Sequence, residues 1–125
     1  MSARILVIED NAKNLKLVRD VLEYAGYEVV AARSGEEGLE AAMLCTPDLV
    51  LMDLQLPGID GSETLRRLRA AGQRNVPVVA VTAFAMRSDR ERVLAEGFDG
   101  YLDKPISVRA FPGQVRAFLE GEVAT

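Results

Sequence analysis

The sequence predicts an α/β protein, a doubly wound parallel sheet built from five βα units. Three observations predict it. Short apolar runs alternate with segments whose apolar residues recur at helical spacing. The first, third and fourth runs are apolar at nearly every position, as parallel strands covered on both faces require. Turn and cap residues punctuate every junction, with no long linker, repeat or low-complexity tract.

Residues 4–8, RILVI, form the first predicted strand. Asn11 caps the helix after it, whose Leu15, Val18, Leu22 and Ala25 share one face, and Gly26 stops it. The stripe is core and carries no function. YEVVAA, residues 27–32, is the second strand. Ser34 and Glu37 make a capping-box pattern for the next helix, which ends near Thr46-Pro47. DLVLM, residues 48–52, is the third strand and runs into Asp53 and a Pro-Gly turn. Asp60 and Glu63 open the third helix, with Leu65 and Leu68 inward and Gly72 at its end. The fourth unit is VPVVAVT, residues 76–82, with SDRERVLAEG, residues 88–97. The fifth is GYLD, residues 100–103, with SVRAFPGQVRAFL, residues 107–119. Pro112 removes a backbone donor from that last segment, at about 3 kcal/mol in a helix interior. The expectation is a kink, or a helix that starts at Pro112 after a turn from Ser107.

Five such units predict strand order 2-1-3-4-5, the flavodoxin-like arrangement. In open sheets of this kind the site lies beyond the carboxyl ends of the strands, at the switch point between strands 1 and 3. Strand 1 ends in Glu9-Asp10, strand 3 in Asp53, strand 4 in Thr82-Ala83, and strand 5 in Asp103-Lys104-Pro105. One pocket therefore collects carboxylates, a hydroxyl and an ammonium. Clustered carboxylates repel, and a hard divalent cation such as magnesium relieves that repulsion with oxygen ligands. A carboxylate is also a nucleophile toward phosphorus, giving an aspartyl phosphate. Phosphoryl transfer needs mostly positioning and charge stabilisation. Lys104 supplies a compact positive charge for this, and Thr82 a hydroxyl donor.

Composition excludes other classes. A net charge of −4 argues against a phosphate-backbone footprint, and so against direct nucleic-acid binding. One cysteine, Cys45, allows no intrachain disulfide and fits a reducing, cytoplasmic compartment. The apolar run in MSARILVIED is too short for a signal or membrane span. Histidine is absent, so any phosphohistidine must belong to another protein.

Together these residues resemble a response-regulator receiver domain over residues 1–121, leaving residues 122–125 as a short tail. The resemblance rests on Glu9-Asp10, LMDLQLPGIDG around Asp53, VTA with Thr82, Tyr101, and Lys104-Pro105. EDN and VTAFAMRSDRERVLAEGFDGYLDKPIS are similar to single-domain, DivK-like cell-cycle regulators of bacteria. The resemblance implies that Asp53 is phosphorylated by a sensor histidine kinase or a histidine phosphotransfer protein. It implies magnesium, or manganese in its place, on the Asp10 and Asp53 side chains, with Glu9 assisting and the Gln55 backbone carbonyl as a further ligand. Lys104 would contact the phosphoryl group, and Thr82 and Tyr101 would be paired switch residues. The Lys104-Pro105 peptide is expected to be cis. The implied protein is a signalling switch that assists its own phosphotransfer and dephosphorylation, and no enzyme beyond that. Its output is contact with a downstream target protein, as a monomer or as a weak dimer through the helix 4, strand 5, helix 5 face.

Taken singly, each residue has a plainer reading. Glu9 and Asp10 also suit a helix start, and Asp53 a Pro-Gly turn. Lys104 alone is a surface lysine, Thr82 a strand threonine, Tyr101 a packing residue, and Cys45 a small apolar one. Five specified residues at the ends of four strands, in an order one topology explains, favour the joint reading. An aspartate-nucleophile phosphatase wants a second acid two residues on, where Gln55 stands. A nucleotide-binding fold wants a Gly-rich loop after strand 1, where the chain reads EDNAKN. A constitutive docking module and a receiver excised from a larger kinase or transcription factor are the remaining alternatives. The chain starts at Met1 and ends EGEVAT after its last helix, so a single-domain product is expected. Phe84, Ala85, Met86 and Arg87, with Tyr101, are the expected partner surface. An apolar cluster off the strand spacing marks a contact face, unless it packs onto the neighbouring helices. Phe84 and Gln55 also flank the phosphoryl site, with opposite expected effects on access of water.

Overall fold

The apolar runs pair into one parallel sheet. A computed structural model describes residues 3–73, 75–83 and 87–121, the side chains of Arg87 and Ser88 excepted. The strands are β1 (Arg4–Ile8), β2 (Glu28–Ala32), β3 (Leu49–Asp53), β4 (Val78–Thr82) and β5 (Gly100–Asp103). They alternate with helices α1 (Ala12–Tyr24), α2 (Gly35–Cys45), α3 (Gly61–Ala70), α4 (Arg87–Ala95) and α5 (Phe111–Leu119). The sheet order is β2-β1-β3-β4-β5, as the sequence predicts. Register pairs Ile8 with Ala32 and Met52, Asp53 with Val81, and Thr82 with Asp103, so the strands end nearly level.

Several boundaries differ from the sequence pattern for local reasons. Tyr27 N–H closes α1 by donating to Leu22 O at 3.0 Å, so β2 starts at Glu28 rather than 27. Pro77 has no N–H to offer a ladder, and β4 starts at Val78 rather than 76. β3 runs from Leu49 through Asp53, one residue later at each end than the apolar run of 48–52. Helix α4 occupies Arg87–Ala95 rather than 88–97. Of the two shapes open for the last helix, the late start is observed. Residues 108–110 form a turn, Phe111 N–H donates to Ser107 O at 2.8 Å, and Pro112 falls in the first turn, where its missing donor is harmless.

The caps are those the side chains offer. Asn11 Oδ1 accepts from the Lys13 and Asn14 amides at 3.0 Å. Ser34 Oγ accepts from Glu37 N at 3.1 Å, but the Glu37 carboxylate returns to the Arg33 amide, one residue before the cap. Asp60 Oδ1 accepts from Glu63 N at 2.9 Å, while the Glu63 carboxylate turns to Arg66 and Arg67.

Alternation along the strands builds two cores. Leu6, Ile8, Val50, Met52, Val78, Ala80 and Tyr101 face one side. Ile5, Val7, Leu49, Leu51, Val79, Val81 and Leu102 face α1 and α5 on the other. Most are wholly buried, each contributing about 1.5–3 kcal/mol by area. Two glycines let helices close on the sheet. A Cβ on Gly38 would lie 2.3 Å from Ile8 Cδ1, and one on Gly100 2.2 Å from Phe118 Cε1. At the amino ends of the strands, Arg69 ties the turn before β4. Its Nη1 donates to Gln73 O and Val76 O at 2.7 Å, and its Nη2 to Asp99 Oδ2 at 2.9 Å. The same Asp99 oxygen accepts from Val78 N at 2.8 Å.

Candidate functional site

Glu9 continues the parity of Ile5 and Val7, Asp53 that of Leu49 and Leu51, and Lys104 that of Leu102. The three side chains therefore leave the sheet on one side, at level strand ends. They meet there. Lys104 Nζ donates to Glu9 Oε1 at 2.7 Å and to Asp53 Oδ2 at 3.0 Å. The second Asp53 oxygen, Oδ1, accepts from Gln55 N at 3.1 Å, and Glu9 Oε2 accepts from Asn11 N at 3.2 Å. Both carboxylates are buried, Glu9 at 4% and Asp53 at 7% exposure, whereas Asp10 is more open. The Lys104-Pro105 peptide is cis.

Burial, and then the Asp53 carboxylate, hold the Glu9 carboxyl above its ordinary range, against the pull of Lys104 and the Asn11 amide. Burial alone would lower Lys104, but the bonds from Glu9 and Asp53 outweigh it and hold the ammonium above the usual lysine range. The pocket thus carries more negative charge than one ammonium balances. Oxygens of Glu9, Asp10 and Asp53 all lie within 4.8 Å of one another. Octahedral magnesium at about 2.1 Å sets its ligand oxygens roughly 3–4 Å apart, so shifts of about an ångström would close this set on the ion. An all-oxygen donor group suits a hard cation.

Thr82 and Tyr101 belong to the opposite face of the sheet. Tyr101 pairs with Ala80, so Thr82, two residues on, is its diagonal neighbour. Both are buried, at 1% and 7% exposure. The Arg90 guanidinium covers the Tyr101 ring at 5.3 Å and stands 3.9 Å from Asp103. Burial first, then Asp103 and Asp89, push the Tyr101 phenol up. Gln55 is exposed beside Asp53. Of the expected partner surface, Phe84, Ala85 and Met86 lie outside the described residues, and Arg87 is described as backbone only. The neighbouring described residues Arg90, Leu94, Tyr101, Asp103 and Gln114 line a cavity of about 440 Å³ on the α4, β5, α5 face.

One residue at the site has no signal in the sequence. Arg33, an exposed arginine between β2 and α2, donates from Nη2 to the Asp10 carbonyl at 2.9 Å. Only adjacency of the β1 and β2 ends could have found it.

A family model described as Response regulator receiver domain matches residues 5–116. The polar-differentiation response regulator DivK of Brucella ovis is 44% identical over 120 residues, covering 95% of this chain and 98% of that protein. A CheY-like response regulator receiver domain from Methanospirillum hungatei superposes with a TM-score of 0.87 at 28% identity, over 97% of this chain and 96% of that one. The receiver domain of a sensor histidine kinase from Pseudomonas aeruginosa, with a magnesium ion coordinated in its active site cleft, gives 0.82 at 33% identity, over 97% of each chain. Among the described residues, no helix is long and apolar enough to cross a membrane.

Proposed function

Given that this chain belongs to the response regulator receiver domain family, a family of phosphorylation-controlled switches, we propose that Asp53 is its phosphoryl acceptor. One observation carries the assignment. Asp53 is a strand-end carboxylate held rigid on both oxygens, by Lys104 and by the Gln55 amide. In the transfer an Asp53 oxygen forms the new P–O bond while the P–N bond to a histidine of the donor protein breaks. The donor histidine lies outside these 125 residues, which contain none, and belongs to a histidine kinase or histidine phosphotransfer protein.

The other residues then take distinct parts. Lys104 offsets the negative charge of the incoming phosphoryl oxygens, having already been held in place by Glu9 and Asp53. Receiver domains bind magnesium at an acidic pocket, and here Asp10 and Asp53 would hold it by side chain, with Glu9 assisting and the Gln55 carbonyl as a further ligand. When bound, such an ion neutralises the carboxylates and withdraws charge from the phosphoryl oxygens. When Asp53 is modified, the Thr82 hydroxyl turns from its own face of the sheet toward the phosphoryl group and vacates space that Tyr101 fills. A target protein that reads the Tyr101 state on the α4, β5, α5 face completes the switch. In this reading residues 1–121 are the receiver domain, residues 122–125 a tail, and the site of action the bacterial cytoplasm.

The test is intact mass after incubation with magnesium and a small phosphodonor such as acetyl phosphate. Gain of one phosphoryl group, mapped to Asp53, supports the assignment. No gain with any donor overturns the assignment and favours a constitutive docking module.

A further inference from the structure

The peptide unit joining Asp10 to Asn11 is gripped on both edges. Its carbonyl accepts from Arg33 Nη2 at 2.9 Å, and its N–H donates to Glu9 Oε2 at 3.2 Å. The base of Arg33 is itself anchored. Its own amide donates to Glu37 Oε2 at 2.7 Å, and the adjacent Ala32 carbonyl accepts from Glu9 N at 2.9 Å. A run of hydrogen bonds thus leads from the start of α2 to the backbone of Asp10. Among the described residues Arg33 forms no ion pair, so its bond to Asp10 is made to a neutral carbonyl rather than to a countercharge.

We propose that Arg33 is a positioning residue for Asp10, and that the divalent-cation affinity of this protein depends on its grip; the proposal rests on the reading of Asp10 as a ligand. The planar guanidinium presents donors in a rigid fork and fixes an acceptor's direction better than a swivelling ammonium does. Orienting the Asp10–Asn11 peptide orients the bond from which the Asp10 carboxylate hangs. Partners that orient metal ligands in this way typically contribute about tenfold or more in affinity. The charge of Arg33 acts in the opposite sense, since a guanidinium near the pocket repels a cation. That repulsion is between exposed groups and is screened by salt, whereas the grip is not.

The two effects are separable by experiment. Magnesium binding is measured by isothermal titration calorimetry at low and high salt for wild type, Arg33→Ala, Arg33→Lys and Asp10→Asn. Thermal melting without metal confirms that each variant folds. Arg33→Ala should bind magnesium about tenfold more weakly, with the deficit persisting at high salt. Arg33→Lys, which keeps the charge and loses the fork, should fall between the two. Hydrogen exchange at the Asn11 amide should quicken in Arg33→Ala. Wild-type or tighter affinity in Arg33→Ala overturns the proposal while a loss in Asp10→Asn leaves the ligand reading standing. Unchanged affinity in Asp10→Asn overturns both.

Discussion

Lys104 Nζ lies 3.0 Å from Asp53 Oδ2, although β4 stands between their strands in the sheet. The side chain reaches across a strand end because Thr82 and Asp103 close β4 and β5 in register. Asp53→Asn tests what that contact is for. The one amide oxygen can accept from Lys104 or from the Gln55 amide but not both, and Lys104 keeps Glu9 at 2.7 Å, so the variant should fold with a loss of about 1–3 kcal/mol. Stable labelling by acetyl phosphate should vanish. Label at the wild-type level in the folded variant would remove Asp53 from the acceptor role.

Replacing Asp10 by Asn takes one negative charge from a pocket that one ammonium under-compensates. Magnesium affinity should fall, and the metal-free protein should melt higher because carboxylate repulsion is relieved. Calorimetric titration and metal-free melting read the two halves separately.

Thr82→Ala removes the hydroxyl that, in the proposed switch, couples modified Asp53 to Tyr101. Compared at equal labelling, the variant should show a smaller gain in target affinity on phosphorylation than wild type. Equal gains in the two proteins would break the proposed coupling.

Gly38→Ala pits two magnitudes against each other. Alanine raises helix propensity by about 1 kcal/mol, but overpacking a filled core costs about 1–3 kcal/mol. Ile8 is fully buried and the added carbon would meet its Cδ1 at 2.3 Å and its Cγ1 at 2.8 Å, so destabilisation should win by about 1 kcal/mol. Ile8→Val removes Cδ1. In urea melts the double variant should therefore be more stable than the sum of the single changes.

Acid behaviour offers a test on α3. Arg66 and Arg67 hold the Glu63 carboxyl down at about 2, against an ordinary 4.5. A depressed folded value adds stability that is full above 4.5 and is lost as pH falls toward 2. The stability difference between wild type and Glu63→Gln should shrink through that window. It should also shrink in salt, because the cluster is solvated.

The sheet order and the meeting of Glu9, Asp53 and Lys104 were legible in the sequence, because buried parallel strands are apolar throughout and their ends declare themselves by the first polar residue. That same rule misplaced the end of β3. Asp53 is polar yet pairs in register with Val81, since a backbone ladder is indifferent to the side chain it carries. Pro112 allowed two shapes, and the choice depended on Phe111 finding its burial at 1% exposure. Arg33 and Arg69 were invisible for another reason. Each donates to backbone carbonyls, which every residue has, so no spacing of types records the contact.

Arg69 gives the molecule unequal rims. At the amino edge of the sheet, one guanidinium bolts Gln73, Val76 and Asp99 together, and Asp99 in turn holds the first amide of β4. At the carboxyl edge, like charges are crowded together around a single ammonium. The starts of β4 and β5 are thus tied at one margin, while the opposite margin carries the crowded charge. If Asp53 is the acceptor, as proposed, new charge enters at the margin opposite the one that Arg69 ties.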